Sequence, residues 1–163
     1  MTASDLIYRA SNEAATVRLG HALAEALPKR AVIALHGTLG AGKTRLVQTI
    51  ADGIGVPAGS VTSPTFVLAQ EYHAKRTLYH VDAYRLTTAD EAYEFGLDEY
   101  LSAEAITCIE WAERVADLLP EDRLDITIDV EAGGARAFNI AARGPTAREA
   151  LERLRSVLKG LST

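Results

Sequence analysis

The chain has one cysteine, Cys108, in 163 residues. It therefore cannot close an internal disulfide, and with no CxxC pair or Cys/His cluster it offers no zinc site. No apolar run approaches the roughly 18 residues of a membrane-spanning helix, and the N-terminal MTASDLIYRA lacks a charged stretch followed by an apolar one. Bases are in the minority, 17 Lys and Arg against 22 Asp and Glu, for a net charge of -5. That sign is wrong for neutralising a phosphate backbone over a broad surface, so any nucleic acid is expected to be reached through a partner. Repeats, linkers and low-complexity segments are also missing. What is present, 48% hydrophobic and 24% charged residues, is the balance of a soluble globular protein. The expectation is a single cytoplasmic domain over residues 1–163.

Periodicity divides the chain into alternating elements. Ala15, Leu19, Leu23, Ala26 and Leu27 recur at helical steps, which predicts a helix over Asn12–Leu27 with Ser11 or Asn12 as N-cap and Pro28 beyond its end. Ala31–His36 (AVIALH) is apolar without alternation, as a central strand covered on both faces requires. A second helix follows over Thr44–Ile54, with Gly53 and Gly55 as stop signals. Val61–Pro64 reads as a link, and Phe66–Tyr72 and Thr77–Tyr84 as a hairpin turning at HAKR. Asp90–Phe95 is helix-prone and broken by Gly96, Ala105–Trp111 is a strand, and Ala112–Leu119 is a short helix stopped by Pro120. Asp125–Val130 and Arg136–Ala142 alternate around Gly133-Gly134, and Pro145–Leu158 closes as a helix. With the glycine-rich GTLGAGKT (Gly37–Thr44) standing between the strand AVIALH and the helix after it, these elements predict an α/β protein: a three-layer P-loop NTPase fold whose mixed central sheet is flanked by helices.

The chemistry is written most clearly at Gly37-Thr38-Leu39-Gly40-Ala41-Gly42-Lys43-Thr44, an ungapped GxxxxGK[ST] between a strand and a helix. Its glycines allow backbone N–H groups to converge on phosphate oxygens at a helix N-terminus. Lys43 is suited to the β- and γ-phosphates, and the Thr44 hydroxyl to magnesium.

A phosphate cradle also needs a carboxylate before it can hydrolyse. Glu110, at the end of the apolar strand ITCIE, fits a magnesium-side acid; an ordinary strand-end surface glutamate is the alternative. Asp82 in HVDAYR could hold a metal-bound water, orient the attacking water or act as base, and a turn-capping aspartate reads equally well. His80 reads as a packed strand residue. Thr62-Ser63-Pro64-Thr65-Phe66 admits a γ-phosphate sensor or a plain turn, Trp111 a P-loop neighbour or a packed residue, and Arg85 a phosphate contact or a surface ion pair.

Taken in order, GTLGAGKT, VTSPTF, HVDAYRL, EAYEFGLDEYL and IEWAE resemble the TsaE (YjeE) family of small bacterial ATPases in tRNA threonylcarbamoyladenosine synthesis, over nearly the whole chain. The resemblance implies ATP and Mg2+ as ligands and a TsaB-TsaD complex as partner. TsaD transfers the threonylcarbamoyl group to adenosine 37 of tRNAs reading ANN codons, so tRNA is met only through the complex. It implies Thr44 and Glu110 as magnesium ligands and Asp82, Glu110 and Lys43 as catalytic residues. The nucleotide-binding set comprises Gly37, Thr38, Leu39, Gly40, Ala41, Gly42, Lys43, Thr44 and Arg45, with Trp111, Ser11 and Arg136. Ser63, Pro64 and Thr65 would form a switch loop. Where the family often reads GDLGAGKT, this chain has Thr38 for the aspartate, which leaves the acidic chemistry to Asp82 and Glu110.

Two other functions use the same loop. A small-molecule kinase would need an acceptor pocket and a lid, for which His73-Ala74-Lys75-Arg76 is the candidate. A nucleotide-controlled binding module would use ATP only to order a switch.

Overall fold

The computed structural model describes residues 5–62 and 69–161. Seven strands form one sheet: β1 (Leu6–Ala10), β2 (Ala31–His36), β3 (Ala69–His73), β4 (Thr77–Asp82), β5 (Ile106–Glu110), β6 (Arg123–Val130) and β7 (Arg136–Arg143). They lie in the order β1-β7-β6-β2-β5-β4-β3. The middle is parallel, β6, β2, β5 and β4, and the outer pairings β3/β4, β6/β7 and β1/β7 are antiparallel. The helices are α1 (Glu13–Ala26), α2 (Lys43–Gly53), α3 (Ala89–Glu94), α4 (Leu97–Ser102) and α5 (Pro145–Leu161). Among the described residues no helix is long and apolar enough to cross a membrane.

Strand β2 explains the layering. Its successive side chains point to opposite faces. Ile33 and Leu35 join Leu19, Leu46, Ile50 and Leu151 of α1, α2 and α5, while Val32 and Ala34 join Ala92, Leu97 and Leu101 of α3 and α4. Both faces are thus covered, as the unalternating AVIALH run predicts. The α1–α2 seam is unusually close because glycine occupies both sides of it. A Cβ on Gly20 would collide with Thr49, and one on Gly53 would sit 2.7 Å from Cβ of Ala24.

Local differences from the sequence reading have identifiable causes. Gly53 does not stop α2; it lies within its last turn, and the chain turns at Gly55, whose φ is +95°. Asn12 rather than Ser11 caps α1, its side chain accepting from the Ala15 N–H at 2.9 Å. Strand β1 and helix α4 were not expected. Each is only five or six residues long, too short to show periodicity, and β1 is defined by pairing with β7, far away in sequence. Residues 112–118 form a 3-10 helix broken at Val115 rather than an α-helix. HAKR does turn the β3–β4 hairpin. Its Arg76 guanidinium donates to the carbonyls of Leu27 (2.8 Å), Ala24 (3.3 Å) and Pro28, closing the C-terminal end of α1 instead of standing free as a lid.

Candidate functional site

The chain leaves the central strand β2 at His36 and reaches α2 through the Gly37–Gly42 loop. Gly42 precedes α2 with φ +115°, a conformation strained for any residue with a Cβ, and no side chain caps the helix. The first N–H groups of α2 are thereby left for a ligand, with the positive end of the helix dipole behind them. Leu39 stands out at the loop tip, 88% exposed, whereas Ala41 is buried.

Lys43 is nearly buried, at 5% exposure. Its Nζ donates to the carbonyls of Gly37 at 2.6 Å and Thr38 at 3.0 Å, and lies 4.2 Å from the ring centre of Trp111. The ammonium is satisfied by the loop's own carbonyls and an aromatic face.

Strand register brings the acids to this loop. On the parallel strands Asp82 of β4 lies opposite Glu110 of β5, which in turn lies opposite Leu35 of β2. Glu110 is 5% exposed, and its Oε2 accepts from the Thr44 hydroxyl at 2.8 Å and from Nε2 of His80 at 2.5 Å. Asp82 accepts from the Tyr84 N–H at 2.9 Å. Burial holds the Asp82 carboxyl above its usual range, and the neighbouring Glu110 charge pushes the same way against the Tyr84 hydrogen bond.

Trp111 follows Glu110 with φ +58°, the only non-glycine residue in the left-handed region among those described. That turn sets its ring 5.1 Å from Tyr84, whose ring Arg114 covers at 5.2 Å. The resulting cleft of 560 Å³ is lined by Lys43, Thr44, Asp82, Tyr84, Glu110 and Trp111, among others.

A second recess of 270 Å³ shares Gly42 and Arg45 with the cleft and is lined also by Asn12, Glu13, Thr16 and Arg136. Arg136 Nε donates to the Ala41 carbonyl at 2.8 Å and its Nη1 to the Gly134 carbonyl at 2.5 Å; Arg45 is paired with Glu13. On the other face of the sheet a distinct knot forms at Asp125. It receives Nε2 of His36 (3.2 Å), Arg123 Nε (3.2 Å) and Arg143 Nε (2.6 Å), while His36 Nδ1 meets Glu113 at 3.4 Å.

A family model described as "Threonylcarbamoyl adenosine biosynthesis protein TsaE" matches residues 10–138. The chain belongs to the TsaE family. It is 40% identical over 126 residues to a tRNA threonylcarbamoyladenosine biosynthesis protein TsaE from Treponema pallidum, covering 77% of this chain and 93% of that one. It is 43% identical over 119 residues to the protein of that name from Streptomyces coelicolor, covering 71% and 79%. The crystal structure of Bacillus subtilis YdiB superposes with a TM-score of 0.72 at 31% identity, over 97% of this chain and 94% of that chain.

With the TsaE fold in view, the sequence-derived residues fall into three groups. Lys43, Thr44, Asp82, Glu110 and Trp111 meet in one cleft with Leu39, Gly40 and Gly42, while Gly37, Thr38 and Ala41 complete the loop behind it. Arg136 lies in the adjoining recess, Arg45 lines both, and Ser11 is exposed just before the α1 cap. Ser63, Pro64 and Thr65 lie outside the described residues.

Tyr84 and His80 touch this TsaE site without having been assigned a part in it. For His80 a signal was available. His80 and Asp82 are two apart on a strand and so share a face.

Chemically, the donor set suits a hard cation. No group of three or more His, Cys, Asp or Glu that could hold a metal ion occurs among the described residues. The Thr44 hydroxyl, Glu110 and Asp82 supply oxygen, and Mg2+ commonly takes one or two carboxylates, waters and the oxygens of a bound phosphate.

Proposed function

We propose that this chain is a magnesium-dependent ATP hydrolase that acts with TsaB and TsaD, supporting repeated rounds of threonylcarbamoylation of adenosine 37 in tRNAs reading ANN codons, and does not itself transfer the group. Membership of the TsaE family supports the pathway. The observation that carries the hydrolase reading is the convergence of Thr44 Oγ1 and Glu110 Oε2 at 2.8 Å, with Asp82 in register beside Glu110. With Glu110 on the magnesium side, Asp82 is left as a second acid to serve the attacking water, a part that nucleotide binding alone does not require.

In this reading residues 1–163 are one cytoplasmic ATPase domain. Lys43 exchanges the Gly37 and Thr38 carbonyls for phosphate oxygens, and the N–H groups of the loop and of α2 hold the rest of the triphosphate. Thr44 and Glu110 are the residues to hold magnesium, with Asp82 serving the attacking water. When bound, magnesium supplies charge neutralisation on the phosphates. Trp111 walls the site beside Lys43, and Arg45, Arg136 and Ser11 lie on the side for the rest of the nucleotide. Ser63-Pro64-Thr65 is the expected switch loop. Turnover by the chain alone is slow, because the basic residues lining the cleft among those described are Lys43 and an Arg45 already paired with Glu13, and a partner is needed to complete the charge around the phosphates.

The test is ATP hydrolysis by the purified chain with and without TsaB-TsaD, paired with tRNA modification in cells lacking the gene. Stimulated hydrolysis and lost modification are expected. No stimulation together with normal modification would discard the proposal. A metabolite phosphorylated much faster than ATP is hydrolysed would replace it with a kinase, a reading that the engagement of Arg76 with α1 disfavours.

A further inference from the structure

We propose that His80 is a positioning residue, holding one oxygen of Glu110 so that the other is free for the cation; this rests on reading Glu110 as a metal-holding carboxylate. His80 lies in the middle of β4, opposite Cys108 on β5 and Gln70 on β3, and has no exposed surface. Its Nε2 is 2.5 Å from Glu110 Oε2. A carboxylate oxygen only accepts, so this hydrogen bond assigns a proton to Nε2. Nδ1 is buried with no hydrogen-bond partner among the described residues.

That orphan is informative. Leu78 and Val81, on the same strand, fill their places with hydrocarbon, and a residue present only for packing at position 80 would avoid burying an unpaired nitrogen. The imidazole carries this cost and returns a single directed contact, to Glu110.

Glu110 Oε2 collects both donors, Thr44 Oγ1 and His80 Nε2, and no described residue donates to Oε1. The Thr44 hydroxyl is also the group expected on magnesium. Once that hydroxyl is committed to a cation, His80 is the donor that still fixes the carboxylate. Partners of this kind orient a metal-holding side chain, and their loss commonly costs roughly 10- to 100-fold in metal affinity or activity.

The experiment compares wild-type chain with His80→Leu, His80→Gln and His80→Asn. It titrates MgCl2 against binding of a fluorescent ATP analogue, and records phosphate release and thermal melting alongside. In His80→Leu the magnesium midpoint should rise, or kcat fall, by roughly 10- to 100-fold. Affinity for the metal-free analogue should stay unchanged and Tm at or above wild type. Gln, whose amide can reach the Nε2 position, should restore most of the loss, and the shorter Asn should not.

Unchanged magnesium dependence and kcat in His80→Leu overturn the proposal, as does an equal deficit in Leu and Gln accompanied by lowered Tm. If His80→Leu does not fold, Gln and Asn decide: Gln better than Asn upholds it and equality overturns it. A wild-type chain that releases no phosphate but whose magnesium midpoint moves in His80→Leu keeps the role of His80 and removes hydrolysis. A wild type whose analogue binding ignores magnesium removes both.

Discussion

Asp125 and Glu110 flank the same central strand, on β6 and β5, one residue apart in register and on opposite faces of the sheet, and their surroundings differ in kind. Asp125 is met by Arg123, Arg143 and His36. Burial alone would raise its pKa, but hydrogen bonds from His36 and Arg123 and the nearby positive charge hold it down at about 2. Among the described residues Glu110 and its neighbour Asp82 have no arginine partner. Their contacts are a hydroxyl, an imidazole and a backbone N–H, while the nearest lysine is turned toward carbonyls and a tryptophan. The first carboxylate is neutralised within the fold; under the proposed function the second pair is completed by a cation. Degree of charge satisfaction, more than burial or position on a strand, separates Asp125 from the two acids proposed to be functional.

The largest effect should follow from Glu110→Gln. ATP hydrolysis is expected to fall on the order of 100-fold with little loss of thermal stability. The contrast breaks if Asp125→Asn abolishes turnover while Glu110→Gln leaves it intact in the same phosphate-release assay.

Asp125→Ala should act on the fold instead. Leaving His36 and Arg123 without their acceptor should destabilise by roughly 2–3 kcal/mol in urea denaturation, with hydrolysis of the remaining folded protein unchanged.

Acid titration sharpens the same point. A carboxylate held below its unfolded value stabilises the fold above that value and loses the contribution as pH falls toward its folded value. For Asp125 the window runs from its ordinary 3.8 down to about 2, and the loss should be about 2 kcal/mol, absent in Asp125→Ala. His36, held above its ordinary 6.5 first by its hydrogen bond to Asp125 against the opposing effect of burial, stabilises fully below that value and less as pH rises through its folded value. The knot is therefore strongest from about pH 4 to 6.5, a range that stability curves of wild type and Asp125→Ala would define.

The smallest effect is expected at Asp82. Its carboxyl is held above the ordinary range by burial and by Glu110, so its ionised form opposes folding at neutral pH, an effect relieved as pH falls below its folded value. Asp82→Asn should stabilise the nucleotide-free chain by up to about 1 kcal/mol, or roughly 2–4 °C in Tm. Adding magnesium and ATP should erase or reverse that advantage; an Asn variant less stable than wild type without ligand would place Asp82 with Asp125 as a structural acid.

Much of this was legible in the sequence because the signals are local. AVIALH followed by GTLGAGKT declares a buried strand, a phosphate loop and a helix within a few residues, and Asn12 and Gly55 sit at the ends of regular periodicity. Elements that depend on distant partners were not legible. Strand β1 exists because Leu6–Ala10 finds β7, more than a hundred residues away, and α4 is one short turn beyond Gly96. The same limit applied to side chains. HVD and CIE could be seen as strand ends, but not that they are adjacent, so the pattern alone left Asp82 balanced between a catalytic and a capping part and His80 read as a packed strand residue.

What the sequence determined by itself was the phosphate loop, because backbone conformation at glycine, a helix N-terminus and the reach of Lys43 are properties of eight consecutive residues. What only the tertiary structure decided was which acids face that loop and which are already satisfied. Parallel register sets Asp82 and Glu110 side by side at the C-terminal ends of β4 and β5, and Thr44 meets Glu110 across 66 positions. Two arginines and His36, separated from one another along the chain, converge on Asp125 and satisfy it. Charge interactions depend on distance in space, and distance in space between remote segments is fixed only when the sheet is assembled.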